Sequence, residues 1–466
     1  MTKFIKTGLI LIVFSLLQKQ SLNAKNLTIH STTRLENFEL LDIYLHDSLA
    51  FIPGGLGGLN IVNIANPESP RVISTYHATG CDWGRIYSWA VSGEFAYGAG
   101  RECGIHVVDI SDISHPRFQG VYTDGLEPDF RYEHTEIKGS SMFLSRHQGG
   151  VEVVDISLPH SPTHITSVPS RNAWASLATD SLLFVADGGW GLKIYSIANR
   201  NDPQRLASLQ TSGTAKDVAL VGDFLFVAVG AAGVDMIDVS DPWTPIIVDN
   251  FNTSGYASRV SASGNRVAVS DWDDIEVLAY DTQGLSLIGY KNTGGRVMAI
   301  EMVGDMIYSA EWRDFKILEY GEISGPDVDF NTRKLEFPRV MERDSHELSL
   351  RLQNNGRERL RILDVFLDIS DFEYELGSQT IDPDSTTSIS IVYRPDLGGW
   401  SEQLMLTTND QDEPVISITL TGNNPNGPMV GDIAPDFELE SINGFGTIGT
   451  EELRGQPVVL AFFTSW

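Results

Sequence analysis

The sequence predicts a mainly β protein, with a seven-bladed β-propeller in its first two thirds and a β-sandwich after it. Three observations predict this order. A strand motif recurs at a nearly constant interval through the first two thirds of the chain. The period vanishes past Gly325-Pro326, and short strands of alternating polarity without helical periodicity follow. A Pro- and Asn-rich linker at 424–428 then separates a third segment.

The repeated motif is a run of β-branched and apolar residues that opens on glycine, as in Gly150-Val151-Glu152-Val153-Val154-Asp155-Ile156. A period of about 40 residues, built from strands and tight turns, is typical of propeller blades of four strands each. Both faces of each run are apolar, as expected where neighbouring sheets cover one another. The copies, 40 to 46 residues apart, start at Gly58, Gly104, Gly150, Gly191, Gly233, Asp274 and Asp314.

Seven copies predict seven blades, but no outer strand follows the last copy. We expect the segment Leu27-Thr28-Ile29-His30-Ser31 to supply that strand and close the ring, which removes exposed sheet edges. The copies resemble the LVIVD repeat family, which forms β-propellers on secreted and surface proteins. The resemblance places the propeller at 25–323 and implies a fold more firmly than an activity.

The second domain is predicted at 327–423. Its strands alternate apolar and polar residues, as in Val415-Ile416-Ser417-Ile418-Thr419-Leu420, and turn signals such as Asn354-Asn355-Gly356 separate them. The order of its landmarks, from Leu335-Glu336-Phe337 to Leu420-Thr421-Gly422-Asn423, resembles the ASPM/SPD-2/Hydin class of immunoglobulin-like domains. That resemblance implies a spacer or adhesion module without a catalytic group.

The third segment, 429–466, resembles the start of a redoxin domain (AhpC/TSA, TlpA-like) of the thioredoxin fold. The resemblance rests on Ala434-Pro435-Asp436-Phe437, on Leu453-Arg454-Gly455 and on the run from Val458 to Trp466. It implies an α/β fragment and thiol–disulfide exchange or peroxide reduction by a cysteine that follows the tryptophan in that family. Because no cysteine occurs in 429–466, we predict no catalytic residue and no such activity for the sequence as it stands.

The first 24 residues have the layout of a secretory signal peptide. Lys3 and Lys6 precede an apolar run from Thr7 to Leu17, and Ala24 offers a small residue for cleavage. The alternative is a single membrane anchor, but the run is well short of the roughly 20 residues that span a bilayer. We predict an exported protein, periplasmic, cell-surface or secreted, without a transmembrane segment after cleavage.

The composition of the chain limits the classes of molecule that it can bind. A formal net charge of −29 argues against nucleic acid, because phosphate binding needs clustered lysine and arginine. The chain has two cysteines, Cys81 and Cys103, and in an exported protein they are expected to form one disulfide within one blade.

Blade geometry places the glycine-rich turns before each motif and the loops leading into the innermost strands on one rim. We predict an unknown protein, peptide or glycan partner there; the alternative is that the tryptophans pack over neighbouring blades. The candidate rim residues are His77, Trp83, Arg85, Arg101, His134, Arg146, His147, Trp174, Trp190, Lys216, Arg259, Trp272, Arg296 and Trp312.

The propeller carries no recognisable hydrolase, zinc-protease or phosphate-loop motif. His134 and His147 offer a weak metal pair, and Asp271-Trp272-Asp273-Asp274 a weak Ca²⁺ signal that lacks the EF-hand pattern. We predict no catalytic residue, metal or cofactor. The predicted function is an exported multidomain binding or scaffold protein. The alternatives are an extracytoplasmic thiol oxidoreductase or peroxiredoxin-like enzyme in the full-length form, and a propeller hydrolase or metal enzyme.

Overall fold

The computed structural model describes the two short strands 438–440 and 447–449 and most of 27–423. The gaps in the latter range are 37–38, 56–57, 79–84, 102, 124–131, 273, 322, 324, 333, 342–343, 368–370, 396–400 and 412. Every regular element in the described residues is a β-strand. They include no helix with the length and apolar character that crossing a membrane requires. The predicted signal peptide at 1–24, Cys81 and Trp83 lie outside the described residues.

The described part of 27–320 forms seven antiparallel sheets of four strands, which we call blades one to seven. The first strands are β2 (Tyr44–His46), β6 (Ile86–Ser92), β10 (His134–Lys138), β14 (Ala175–Ala178), β18 (Asp217–Val221), β22 (Ala257–Ser263) and β26 (Val297–Val303). The second strands are β3 (Leu49–Gly54), β7 (Phe95–Gly100), β11 (Ser141–Ser145), β15 (Leu182–Ala186), β19 (Phe224–Ala228), β23 (Arg266–Asp271) and β27 (Met306–Glu311).

The repeated motif forms the third strand of each blade, as predicted. These strands are β4 (Gly58–Asn63), β8 (Gly104–Asp109), β12 (Val151–Asp155), β16 (Leu192–Ser196), β20 (Val234–Asp238), β24 (Asp274–Asp281) and β28 (Asp314–Tyr320). The outer strands are β5 (Arg71–His77), β9 (Arg117–Tyr122), β13 (Thr163–Val168), β17 (Gln204–Leu209), β21 (Ile246–Phe251), β25 (Gly284–Asn292) and, for blade seven, β1 (Leu27–Arg34).

The blades form a closed ring. First strands of successive blades contact one another from β2 to β26, so they surround a central channel. Blade seven is completed by β1, which pairs with β28 from Leu27↔Tyr320 to Arg34↔Asp314. One buried apolar cluster then joins blade one, through Ile52, to Phe315 of blade seven. The prediction that the N-terminal segment completes the last blade is therefore confirmed.

Stacking explains why the strands are apolar on both faces. All residues of β11 are buried, for example, because each of its two faces packs on a different neighbour. Met142 and Leu144 lie in the core shared with blade two, whereas Phe143 lies in the core shared with blade four. The burial of apolar area between blades is the main force that holds the ring together.

Past the ring, two sheets form a sandwich, as predicted. One contains β29 (Val328–Phe330), β31 (His346–Asn354), β35 (Thr386–Tyr393) and β33 (Phe372–Leu376) in that order. The other contains β30 (Lys334–Glu336), β37 (Val415–Thr421), β36 (Ser401–Thr408), β32 (Leu360–Phe366) and β34 (Thr380–Ile381). Alternate residues such as Leu404, Leu406, Ile416 and Ile418 face the shared core.

Within 429–466 the described strands are β38 (Glu438–Glu440) and β39 (Thr447–Gly449), which pair in antiparallel fashion. The other residues of the predicted redoxin fragment lie outside the described part, so its α/β fold stays a prediction.

Candidate functional site

One face of the ring carries the turns between second and third strands and the loops that lead into the first strands. We call this face the rim. Trp190 lies in the turn between β15 and β16, Trp272 between β23 and β24, and Trp312 between β27 and β28. Trp174 directly precedes β14. The rim therefore collects four tryptophans from three different blades.

A buried glutamate that sequence reasoning missed organises the mouth of the channel. Glu133 precedes β10 and is 6% exposed. Its Oε1 lies 2.6 Å from His147 Nε2 and 3.7 Å from Arg101 Nε. Arg101 in turn donates to the Tyr87 hydroxyl at 2.9 Å. The carboxylate thus links blades two and three at the rim.

The same histidine continues this network into blade four. His147 Nδ1 lies 2.8 Å from Asn172 Oδ1, and its ring meets Trp174 edge-on at 4.7 Å between centroids. Lys216 of blade five places its Nζ 3.2 Å from the centre of the Trp174 ring. Burial, followed by the charge of Arg259, lowers the pKa of Lys216 to about 8. The mouth network consists of Tyr87, Arg101, Glu133, His147, Asn172, Trp174 and Lys216.

Two exposed tryptophan sites flank the mouth. Trp190 is 49% exposed, and the Arg171 guanidinium lies 4.0 Å from the centre of its ring. Trp272 is 47% exposed, with the Arg296 guanidinium 4.0 Å from its ring and 5.8 Å from the Trp312 ring. Cation–π contacts of this kind hold an aromatic ring in one orientation while it remains accessible.

Some predicted rim residues serve other contacts. His77 ends β5 and is exposed at the outer edge of the ring. Arg146 turns inward, with Nη1 3.3 Å from Oε2 of the buried Glu152. Arg85 pairs with Glu39 at 2.9 Å.

His147, one member of the weak histidine pair noted in the sequence, is already engaged by other side chains. Both ring nitrogens of His147 are engaged by Glu133 and Asn172. His134 begins β10, where burial lowers its pKa to about 3. The two histidines therefore do not offer a shared pair of free nitrogens.

One of the two cysteines of the predicted disulfide lies in the described part of the chain. Cys103 precedes Gly104 in the turn between β7 and β8, and it is disulfide-bonded. Cys81 lies outside the described residues, so the Cys81–Cys103 pairing stays a prediction.

The channel wall contains acidic residues that satisfy the free edges of the first strands. A backbone N–H on such an edge needs an acceptor from elsewhere, because no further strand pairs with it. Ala178 N donates to Oε1 of Glu136, on the preceding blade, at 3.4 Å. Val260 N likewise donates to Oδ2 of Asp217 on its preceding blade at 3.0 Å. Each carboxylate therefore links one blade to the next.

Two further acids complete this wall. Glu301 accepts a hydrogen bond from the Ser261 hydroxyl at 2.9 Å, and Asp42 is hydrogen-bonded by Ser88. Burial, together with the neighbouring carboxylates, raises the pKa of Glu301 to about 8. Burial also raises the pKa of Asp42 to about 6, although the charge of Arg259 opposes the shift.

These shifts predict that stability falls as the pH rises from about 6.5 to about 8. The pKa of a glutamate in an unfolded chain is about 4.3, whereas that of the native Glu301 is about 8. Between these two pKa values the native Glu301 keeps a proton that the unfolded chain releases. Below about 6.5 the buried His134 would oppose this trend, since its pKa is lowered. One pKa unit corresponds to about 1.4 kcal/mol, and solvent screens part of the effect because the Glu301 side chain is partly exposed. We therefore expect Glu301→Gln to raise the free energy of unfolding by about 2 kcal/mol near pH 8.

Urea unfolding at several pH values measures this effect. Glutamine keeps the acceptor for Ser261, so the change isolates the charge. Glu375→Gln, on an exposed position of β33, is the matched control and should leave both the stability and its pH dependence unchanged. If the stability of the wild type and of Glu301→Gln depended on pH equally, the pKa of this carboxylate would not be raised in the folded protein.

Comparisons with known proteins agree with this architecture. Residues 84–124 and 212–253 match the LVIVD repeat family, and residues 326–423 match the HYDIN/CFA65/VesB-like, Ig-like domain. No curated protein matches the chain.

Solved propellers are similar in fold. A chain in the crystal structure of the mitotic checkpoint complex has a TM-score of 0.52 and 12% identity, covering 63% of this chain and 96% of that one. The β-propeller domain of Cps50 (Swd1) from Myceliophteria thermophila has a TM-score of 0.50 and 15% identity, covering 63% and 100%. The WD40 β-propeller domain of Doa1 has a TM-score of 0.50 and 10% identity, covering 64% and 98%. At such identities the likeness concerns the fold of the β-propeller alone.

Proposed function

We propose that this protein is an exported binding or scaffold protein that holds a protein or peptide segment on the rim of its propeller. The observation that carries the proposal is the pair of half-exposed tryptophans, Trp190 and Trp272, each with an arginine over its ring. Tryptophan and arginine are the residue types that contribute most to protein-binding hot spots. A ring already held by a guanidinium loses less conformational freedom on binding.

The Ig-like domain is proposed as a spacer that displays the propeller. Lys291 of β25 contacts Asp327 and Glu413 of this domain, so the spacer is attached to the ring by a buried ion pair. Export is supported by the layout of residues 1–24 and by the disulfide-bonded state of Cys103, since disulfides persist in oxidising compartments.

The redoxin activity is not part of this proposal. It rests on the sequence resemblance of 429–466. The thiol oxidoreductase alternative therefore stays a prediction from the sequence.

A peptide array and a glycan array probed with the labelled full chain test the proposal. We expect peptides to be bound, and the affinity for the best peptide to fall at least tenfold in Trp190→Ala or Trp272→Ala. Loss of a hot-spot aromatic side chain typically costs about 2 kcal/mol or more.

Trp243→Ala is the matched control. Trp243 is 63% exposed and lies in the turn between β20 and β21, on the face opposite the rim. Its replacement should leave the affinity unchanged. The proposal fails if no peptide binds above background, if only glycans bind, or if Trp243→Ala weakens binding as much as the rim variants do.

A further inference from the structure

Blade six buries three carboxylates beneath one rim turn. Asp271 ends β23 and Asp274 begins β24, and Glu276 follows on the same strand. Their exposed fractions are 0%, 4% and 1%. One oxygen atom of each lies within 4.8 Å of one oxygen of each of the others. Three negative charges at such distances cannot all persist in a buried site without compensation.

Other blades compensate the equivalent acid with a lysine. In blade four, Asp187 follows β15, and Lys193, the second residue of β16, places its Nζ 3.7 Å from the Asp187 carboxylate. In blade seven, Lys316 Nζ lies 3.0 Å from Oε2 of Glu311, which ends β27.

The strand registers show that these positions correspond. On the third strands, Leu192, Phe315 and Ile275 pair with Ala186, Ala310 and Ser270, respectively. The next residues on those third strands are Lys193, Lys316 and Glu276, respectively. Blade six therefore carries a glutamate where two other blades carry the neutralising lysine.

Glu276 has an oxygen that no group in the described structure satisfies. Its Oε1 accepts the Ser254 N–H at 3.0 Å, whereas its Oε2 is buried without a hydrogen-bond partner among the described residues. The Ser254 hydroxyl lies 3.1 Å from both Asp271 Oδ2 and Asp274 Oδ2, yet it has a single hydrogen to donate. Asp271 and Asp274 also accept hydrogen bonds from the Gly255 N–H and the Tyr290 hydroxyl, respectively. Glu276 Oε2 is therefore the oxygen on which the argument for a cation depends.

We propose that Asp271, Asp274 and Glu276 bind a hard divalent cation of the Ca²⁺ class, which supplies the charge that lysine supplies in blades four and seven. Oxygen-only donors select hard cations, and a buried carboxylate cage suits Ca²⁺ better than Mg²⁺, which retains several waters. This site goes beyond the proposed binding function and does not depend on it.

Cation binding has a consequence for the rim. Asp271 also accepts the Thr253 hydroxyl at 2.8 Å, in the loop that leads into β22. The turn that follows Asp271 carries Trp272, whose φ is 67°. The cation therefore ties the loop that leads into β22 to the turn that carries Trp272, and so fixes the position of this ring.

Thermal unfolding of the EDTA-treated full chain, with and without millimolar Ca²⁺, tests the site. We expect Ca²⁺ to raise Tm by several degrees, because a ligand that binds only the folded state stabilises it. Mg²⁺ at the same concentration should give a smaller shift, and this arm also accounts for screening of the net charge of −29. Tryptophan-sensitised Tb³⁺ luminescence gives a second readout of direct binding.

Glu276→Lys restores the lysine of blades four and seven. We expect this variant to fold, to unfold at the same Tm with and without Ca²⁺, and to lose the Tb³⁺ signal. Glu276→Gln should bind Tb³⁺ at least tenfold more weakly, and it serves if the lysine variant does not fold. Glu301→Gln removes a carboxylate in the channel and should keep the full Ca²⁺ shift. A wild type with no Ca²⁺ shift beyond that of Mg²⁺, or a Glu276 variant with undiminished Tb³⁺ binding, overturns the proposal.

Discussion

Replacing Lys291 with methionine is expected to destabilise the protein by about 3–5 kcal/mol, because it leaves carboxylates buried without their cation. Lys291 lies in β25 at the junction of the propeller and the Ig-like domain and is 1% exposed. Its Nζ donates to Asp327 Oδ1 at 2.6 Å and lies 3.8 Å from Glu413 Oε2. Methionine occupies a similar volume, so the change removes the charge more than the packing.

A third carboxylate adds to this effect. Burial raises the pKa of Asp329 to about 7, and the charge of Lys291 opposes that shift. Without the lysine, the pKa of Asp329 would rise further, so that keeping this buried carboxylate ionised would cost more free energy.

Calorimetry and urea unfolding of the full chain measure the loss. A ring joined to a second domain need not unfold in one step, so both transitions should be followed. The matched control is Lys334→Met, since the Lys334 side chain is 56% exposed and its ion pair with Glu336 lies on the surface. We expect this control to change stability by less than about 1 kcal/mol. A Lys291→Met variant within 1 kcal/mol of the wild type would contradict a stabilising role for the buried pair.

Local patterns were enough to predict the fold. The copies from Gly58 to Asp314 place the third strand of every blade, because a buried strand needs apolar residues on both faces and a tight turn before it. The unpaired last copy and the apolar segment at Leu27 predicted how the ring closes, which β1 and β28 confirm.

The channel and the junction could not be predicted in the same way. Asp42, Glu136, Asp217 and Glu301 stand on different blades and look like ordinary polar residues of half-exposed strands. Only closure of the ring brings their charges within reach of one another. Lys291 resembles a solvated strand lysine until the second domain covers it.

The acid cluster of blade six shows the same limit at closer range. The motif from Asp271 to Asp274 was visible in the sequence, but it indicates a cation site only together with Glu276. That residue gains meaning from the strand register, which aligns it with Lys193 and Lys316. Glu276, Lys193 and Lys316 each stand third in their copies of the motif, so the exchange of lysine for glutamate is visible in the sequence, whereas the acids that these residues meet are visible only in the structure.

The second large effect is expected at the glycine that opens the repeated motif. Gly233 has a φ of 84°, and a Cβ placed there would lie 2.6 Å from Thr253 N and 2.8 Å from Asn252 Cα, besides meeting the Phe251 carbonyl oxygen. An alanine must therefore pay for the left-handed backbone and also displace the chain that leaves β21. We expect Gly233→Ala to lower the free energy of unfolding by about 3 kcal/mol, from about 1–2 for the backbone and about 1–3 for the overpacking.

Gly222→Ala separates the two causes. Gly222 has a φ of 56° in the turn between β18 and β19, and a Cβ there would meet nothing within 4 Å. Its replacement should therefore cost only the backbone part, about 1 kcal/mol. Urea unfolding of both variants gives the comparison. If the two alanine variants are equally destabilised, the glycine of the motif is needed only for its conformation; a larger loss at Gly233 means that it also permits the close approach of the neighbouring outer strand.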